Sequence, residues 1–249
     1  MDAQRLRELL EAVRDGEVEI DHAADRLSEL PFLDTSQARI DTHRVLRQGI
    51  PEVIYGEFKT PEQIIQAATA LRQAGQEVLA TRVDAEKAAE VQAALPECNF
   101  DPMSRLLWIG NEDVPLQGKG TILVVSAGSA DLPVASEAVG VARRFGNKVE
   151  LLQDVGVAGL HRLLASHELI RSAQVLIVVA GMEGALPSVI GGLVDKPVIA
   201  VPTSVGYGAS LGGVTAMLGM LTSCASNVTT VNIDNGFGAA HVATLINRL

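Results

Sequence analysis

Five apolar, β-branched runs of strand length recur between Thr121 and Ile233: TILVVSA (121–127), KVELLQ (148–153), QVLIVVA (174–180), PVIAVP (197–202) and NVTTVNI (227–233). Helical patterns fill the intervals and the end of the chain, at about 131–145, 159–172, 185–194, 210–224 and 237–248. A strand that is apolar on both sides has to be covered on both sides. Parallel strands in turn need crossovers, which are usually helices. The alternation therefore predicts an α/β domain with a parallel sheet and helices on both faces. In such domains ligands sit at the carboxyl ends of the strands. The segments at those ends are SAGSAD, DVGVAGLHR, GMEGALPS, PTSVGYGAS and DNGFGAA, all rich in glycine and small polar residues.

The first 118 residues have a different character. They hold 22 Asp+Glu and 12 Lys+Arg, which accounts for the whole formal charge of −10, whereas residues 119–249 hold eight of each. Glycine shifts the other way, with 6 before the break and 17 after it. Two domains, 1–118 and 119–249, follow from that change. In the smaller one, residues 2–15 and 17–30 read as short helices, with a connector around Pro31–Ser36. EVIYGEF (52–58), EVLATRV (77–83) and RLLWIG (105–110) read as strands of a βαβαβ unit. Thr60-Pro61-Glu62-Gln63 has the residues of a capping box at a helix start.

Several functions are excluded or disfavoured. A net-acidic chain without a basic cluster is unsuited to gripping nucleic acid. Two cysteines, Cys98 and Cys224, do not make a disulfide framework, and with a charged N-terminus they point to a cytoplasmic protein. The 37 residues from Pro197 to Ile233 contain no Lys, Arg, Asp or Glu. Pro202, the glycines and the hydroxyl residues interrupt the run too often for a membrane span, which takes about 20 predominantly apolar residues. It reads as buried core or subunit interface, and helix 210–224 predicts a homo-oligomer through the C-terminal domain.

Each strand-end loop offers candidate groups alongside a plainer reading. Ser126, Gly128, Ser129 and Asp131 open a helix where an anion, a ribose or a metal would sit, or they form a tight turn with an Asp cap. The GxGxxG spacing of a dinucleotide fingerprint is absent. Asp154, His161 and Arg162 follow the second strand and suit proton transfer beside an anion, or cap a helix. Gly181 and Glu183 follow the third. Glu183 is a carboxylate in an apolar crevice, a candidate acid/base whose plainer duty is again a cap. Ser204, Gly206 and Tyr207 supply hydroxyls, backbone access and a ring after the fourth. On residue type alone, Cys224 late in MLGMLTSCASN reads as inert packing. Cys98 and His167 also read as structural, and no spacing suggests a zinc site.

The series DLPVASEA, VAGLHRLL, GMEGALPSVIGGLVDKPVIAVPTSVGYGASLGG, MLTSCA and VNIDNGFGAA resembles the LarB family across nearly the whole second domain. The acidic first part is similar to that family's N-terminal region. LarB proteins are pyridinium-3,5-biscarboxylic acid mononucleotide synthases of nickel-pincer cofactor assembly, which serves lactate racemase activation. Their C-terminal domain is similar to the PurE class of aminoimidazole ribonucleotide carboxylases and mutases, a Rossmann-type, flavodoxin-like fold. The resemblance implies a carboxylase and hydrolase of nicotinic acid adenine dinucleotide. CO2 or bicarbonate is the co-substrate, AMP the second product, and no organic cofactor is tightly bound.

By that resemblance Cys224 becomes the covalent catalyst, and His161 is the first choice to handle the proton at the carboxylated carbon, with Glu183 taking that proton instead or positioning water. Arg162, Ser126, Gly128, Ser129, Gly181, Ser204, Gly206 and Tyr207 contact the substrate. Asp131 and Asp154 contact ribose or Mg²⁺. Where the family runs Gly-Thr-Ser-Asp, this chain has Gly128-Ser129-Ala130-Asp131, and the third residue lacks its hydroxyl. A PurE-type carboxylase would use the His161 loop but has no need of Cys224 or the first domain. A non-catalytic nucleotide sensor would bind the dinucleotide and leave Cys224 unmodified.

Overall fold

The computed structural model describes residues 3–28, 32–35, 39–111 and 113–249. The chain forms two compact units, residues 1–111 and 112–249. The composition changes near residue 118, but Gln117 and Gly118 already bond to Gly146 of the second unit.

The first unit opens with α1 (Ala3–Arg14), α2 (Ile20–Ser28), a hairpin of β1 (Phe32–Asp34) and β2 (Arg39–Asp41), and α3 (Arg44–Gln48). The expected connector at Pro31–Ser36 thus contains β1, while Pro31 and Ser36 lie outside the described residues, as do the last two residues of the helix expected at 17–30. A four-stranded sheet follows: β3 (Ile54–Tyr55), α4 (Pro61–Gln73), β4 (Val78–Thr81), α5 (Ala85–Ala94), β5 (Asn99–Asp101) and β6 (Leu106–Ile109), in the order β3-β4-β6-β5. The capping box forms as expected, with the Gln63 N–H donating to Thr60 Oγ1 and Thr60 N–H to the Gln63 side chain.

The βαβαβ expectation needs correction. β3 and β4 are parallel, but β6 runs antiparallel to β4 and is reached through an extra strand, β5. The cause is local. The Asp101 carboxylate accepts from the backbone N–H of Met103 and Ser104, closing a tight turn that reverses the chain. Ile54, Ile64, Leu71, Val83, Val91 and Leu107 fill the core between this sheet and its helices.

The second unit carries β7 (Thr121–Ser126), α6 (Leu132–Arg144), β8 (Lys148–Leu152), α7 (Leu160–Ala165), α8 (His167–Ser172), β9 (Val175–Ala180), α9 (Leu186–Gly191), β10 (Val198–Pro202), α10 (Val214–Leu221), β11 (Val228–Thr230) and α11 (Gly236–Arg248). All five strands are parallel, in the order β11-β10-β9-β7-β8. That is the flavodoxin-like order, and the chain switches direction across the sheet between β7 and β9.

Leu123, Val125, Leu176, Val178 and Ala200 face α7 to α10 through Leu163, Ile170, Ile190 and Met220. On the other face α11 packs on α6. At the entry to β7, the Asn247 side chain donates to Gly120 O and accepts from Gly120 N–H, and also donates to Asn147.

Three expected helices of the second unit are shorter than their patterns, and the one at 185–194 is reduced to α9. The one at 159–172 breaks at Ser166 into α7 and α8. The one at 210–224 begins as a 3-10 segment in which Leu211, Gly212 and Gly213 take positive φ, and α10 ends at Leu221. Cys224 therefore lies beyond the helix, and it is exposed. Among the described residues no helix is long and apolar enough to cross a membrane.

Candidate active site

The loops after β7, β8 and β9 enclose a cleft of about 390 Å³ at the switch point. Residues 127–131, Asp154, Gly156, Arg162, Gly181, Glu183 and Val205 form its walls, with Val157, Met182 and Leu186 as apolar lining. Backbone bonds lace these loops together: Ala127 N–H to Val179 O, Thr203 N–H to Ala180 O, and Met182 N–H to Val205 O. At Gly181 a Cβ would stand 2.3 Å from Val205 O and 2.8 Å from Thr203 Oγ1, so only glycine lets the loops after β9 and β10 close to this distance.

Asp131 organises the cleft floor. Its side chain is 3% exposed. Oδ1 accepts from Thr203 Oγ1 at 2.7 Å and Oδ2 from Gly128 N–H at 2.9 Å. Burial pushes its pKa above the ordinary carboxylate value, reinforced by nearby Asp234 and opposed by the hydrogen bonds. Thr203 was the residue missed from sequence. Its only signal was its place immediately after β10, the strand-end position that Ala127 and Gly181 hold after β7 and β9.

The other polar wall is an ion pair, with Arg162 Nη1 2.8 Å from Asp154 Oδ2. Asp154 takes φ +58°, and Met182, Leu211 and Asp234 in the next three strand-end loops are also left-handed. Strained backbone of this kind concentrates where a fold positions functional groups.

Not every residue singled out from sequence meets here. Gly128, Ser129, Asp131, Asp154, Arg162, Gly181 and Glu183 line the cleft. Glu183 is exposed, contrary to the expectation of a carboxylate shut in an apolar crevice; the buried acid of the cleft lining is Asp131. His161 opens α7 facing solvent, outside the cleft walls, although its neighbour Arg162 is one of them. Ser126 is fully buried beneath the loops, and its Oγ has no hydrogen-bond partner. Ser204 N–H is held by Asp234, Gly206 shapes its loop, and Tyr207 is 80% exposed. Cys224 is likewise outside the walls. Its neighbour Ser223 holds Ser188 of α9 at 2.7 Å, and Asn227 donates to the carbonyls of Gly191, Val194 and Lys196. The thiol thus sits exposed on a pinned segment, not as inert core packing.

Mg²⁺ takes oxygen ligands in near-octahedral geometry. Both Asp131 oxygens already accept hydrogen bonds, and Asp154 is paired with Arg162. Among the described residues no group of three or more His, Cys, Asp or Glu could hold a metal ion. These side chains, as placed, do not fit a resident cation.

The LarB/PurE-like N-terminal domain family matches residues 32–111, and the AIR carboxylase family matches residues 121–249, over half of the chain. The chain belongs to the LarB family. LarB membership agrees with the PurE-like parallel sheet and the smaller α/β unit before it, and it supports a carboxylase-type enzyme. An uncharacterized protein of Methanocaldococcus jannaschii is 38% identical over 255 residues, covering 99% of this chain and 98% of the relative. The N5-carboxyaminoimidazole ribonucleotide mutase of the same organism is 36% identical over 132 residues, covering 51% of this chain and 79% of the relative. That mutase therefore spans only about half of this LarB chain.

Proposed function

We propose that this protein carboxylates the pyridinium ring of nicotinic acid adenine dinucleotide at C5 and hydrolyses the phosphoanhydride. The products are pyridinium-3,5-biscarboxylic acid mononucleotide and AMP, the first step of nickel-pincer cofactor synthesis. The observation that carries the reading is an exposed, anchored thiol at Cys224 in a chain that also has a polar switch-point cleft.

Pyridinium C5 is electron-poor and does not attack CO2. Addition of the Cys224 thiolate at C4 forms a C–S bond and moves an electron pair onto the ring nitrogen. The resulting dihydropyridine is an enamine, nucleophilic at C5. C5 then bonds to CO2, a base takes the C5 proton, and loss of the thiolate restores the aromatic ring. Glu183, on the cleft wall and exposed, is the acceptor this placement favours over His161. Arg162 faces a phosphate or carboxylate, with Asp154 orienting it. In the hydrolytic half, water adds across the phosphoanhydride, and Mg²⁺ enters this proposal only on the substrate's phosphates.

Cys224 lies outside the cleft walls of its own chain. Leu218 and Leu221, in the last turn of the helix that precedes Cys224, are 53% and 60% exposed, apolar surface that association of copies would cover. A cytoplasmic homo-oligomer through this face is part of the proposal.

The test supplies nicotinic acid adenine dinucleotide, bicarbonate and Mg²⁺, with aminoimidazole ribonucleotide in a parallel reaction, and reads products by mass spectrometry. The biscarboxylated mononucleotide with AMP is expected. Turnover of aminoimidazole ribonucleotide alone would make this a PurE-type enzyme, and binding without product would make it a sensor.

A further inference from the structure

In the first unit the turn between β3 and α4 keeps an aromatic ring in water on a rigid backbone. Gly56 N–H donates to Thr81 O, Lys59 N–H to Gly56 O, and the Lys87 ammonium to Glu57 O at 2.8 Å. A Cβ at Gly56 would stand 2.7 Å from the Val83 side chain and 2.9 Å from Thr81 O, so the turn lies flat against the end of β4. On it Phe58 is 83% exposed, with Tyr55 at 44% and 6.0 Å away ring to ring. Among the described residues Phe58 is not part of the unit's core cluster, and exposing an apolar side chain of that size forgoes burial energy.

A guanidinium lies beside the ring pair. The Arg82 guanidinium lies 5.7 Å from the Tyr55 ring centre and 3.3 Å from Glu57. Arg105 comes from the β5–β6 turn and donates to Arg82 O. Both arginines take left-handed backbone, φ +56° and +55°, a conformation uncommon for a non-glycine residue. With Lys87 the cluster has three cations against Glu57 and Asp84, which pair with Arg82 and Lys87. It stands in the part of the chain where acids outnumber bases 22 to 12. Exposed aromatic faces beside an excess of guanidinium suit a planar ring that carries a phosphate.

We propose that Phe58, Tyr55, Arg82 and Arg105 form a nucleotide-binding site in the first unit, taking a purine nucleoside monophosphate with its base on the rings and its phosphate on the arginines. The site belongs to the first unit and does not depend on the reaction proposed for the switch-point cleft of the second.

Equilibrium dialysis of the full chain with radiolabelled AMP tests this, counting AMP bound per chain. Phe58→Ser and Arg82→Gln should each weaken one AMP-binding event at least tenfold, with an unchanged thermal midpoint showing an intact fold. Arg162→Gln, which alters the cleft, should leave that event in place. Adenosine and inorganic phosphate should each compete more weakly than AMP. Wild-type AMP loading in both first-unit variants, or loss of all AMP binding in Arg162→Gln, would overturn the proposal.

Discussion

The Thr203 hydroxyl donates to Asp131 Oδ1 at 2.7 Å, joining the loops after β10 and β7 across 72 residues of sequence. Gly128 donates its backbone N–H to the same carboxylate, so one buried side chain fastens its own loop and ties it to the loop after β10. The shape of the cleft depends on that tie.

Thr203→Val should therefore destabilise the second unit by about 1–3 kcal/mol, the usual cost of leaving a buried polar group short of a partner. Thr203→Ser should restore most of it. Urea denaturation of the three proteins checks this, and equal stability of the valine variant would show that the clamp is dispensable.

Asp131 also gives the cleft a pH dependence of known sign. Its pKa is raised in the fold, chiefly by burial, so the folded state holds its proton to higher pH than the unfolded chain does. Its contribution is most favourable below the ordinary carboxylate value and declines as pH climbs from there through the raised value. Relative to Asp131→Asn, the wild type should lose stability over that interval and level off above it. Denaturation midpoints of both proteins across pH 3–7 would show this, and a difference that grows with pH would contradict it.

Much of this was legible in sequence for physical reasons. The five strands of the second unit announced themselves because a parallel sheet buried on both faces requires unbroken apolar runs. The cleft residues Asp131, Arg162 and Glu183 were legible because the strand ends fix where a ligand can enter. The length of α10 was not. Its apolar pattern continues to Cys224, and only the backbone geometry around Leu211–Gly213 and the anchoring of Ser223 show that the helix is short and the thiol exposed. The β5–β6 reversal escaped because it rests on one side chain, Asp101, capping its own turn. Thr203 escaped because its partner lies 72 positions away.

The two thiols should differ sharply in reactivity. Cys98 is 5% exposed, and burial, with Glu97 nearby, pushes its pKa to about 11. Cys224 is exposed. Iodoacetamide should add one carbamidomethyl group per native chain, mapped to Cys224 by peptide mass spectrometry, and two only after unfolding. Labelling of Cys98 in the native protein would contradict the packing described.

The apolar face beside Cys224 should be buried between copies. Light scattering should give a multiple of the 26.2 kDa chain mass. Leu218→Glu with Leu221→Lys should shift the protein toward monomer and reduce turnover together. A wild-type monomer at micromolar concentration would remove the oligomer from the account.

The central claim is that Cys224 is the covalent catalyst of a pyridinium carboxylation. Its most direct measurement is incorporation of ¹³C from labelled bicarbonate into the mononucleotide product, compared between the wild type and Cys224→Ala. A labelled biscarboxylated product is expected from the wild type, with a loss of at least about 10³-fold in the alanine variant, on the scale of removing a covalent nucleophile. Carboxylation by Cys224→Ala at the wild-type rate would contradict it.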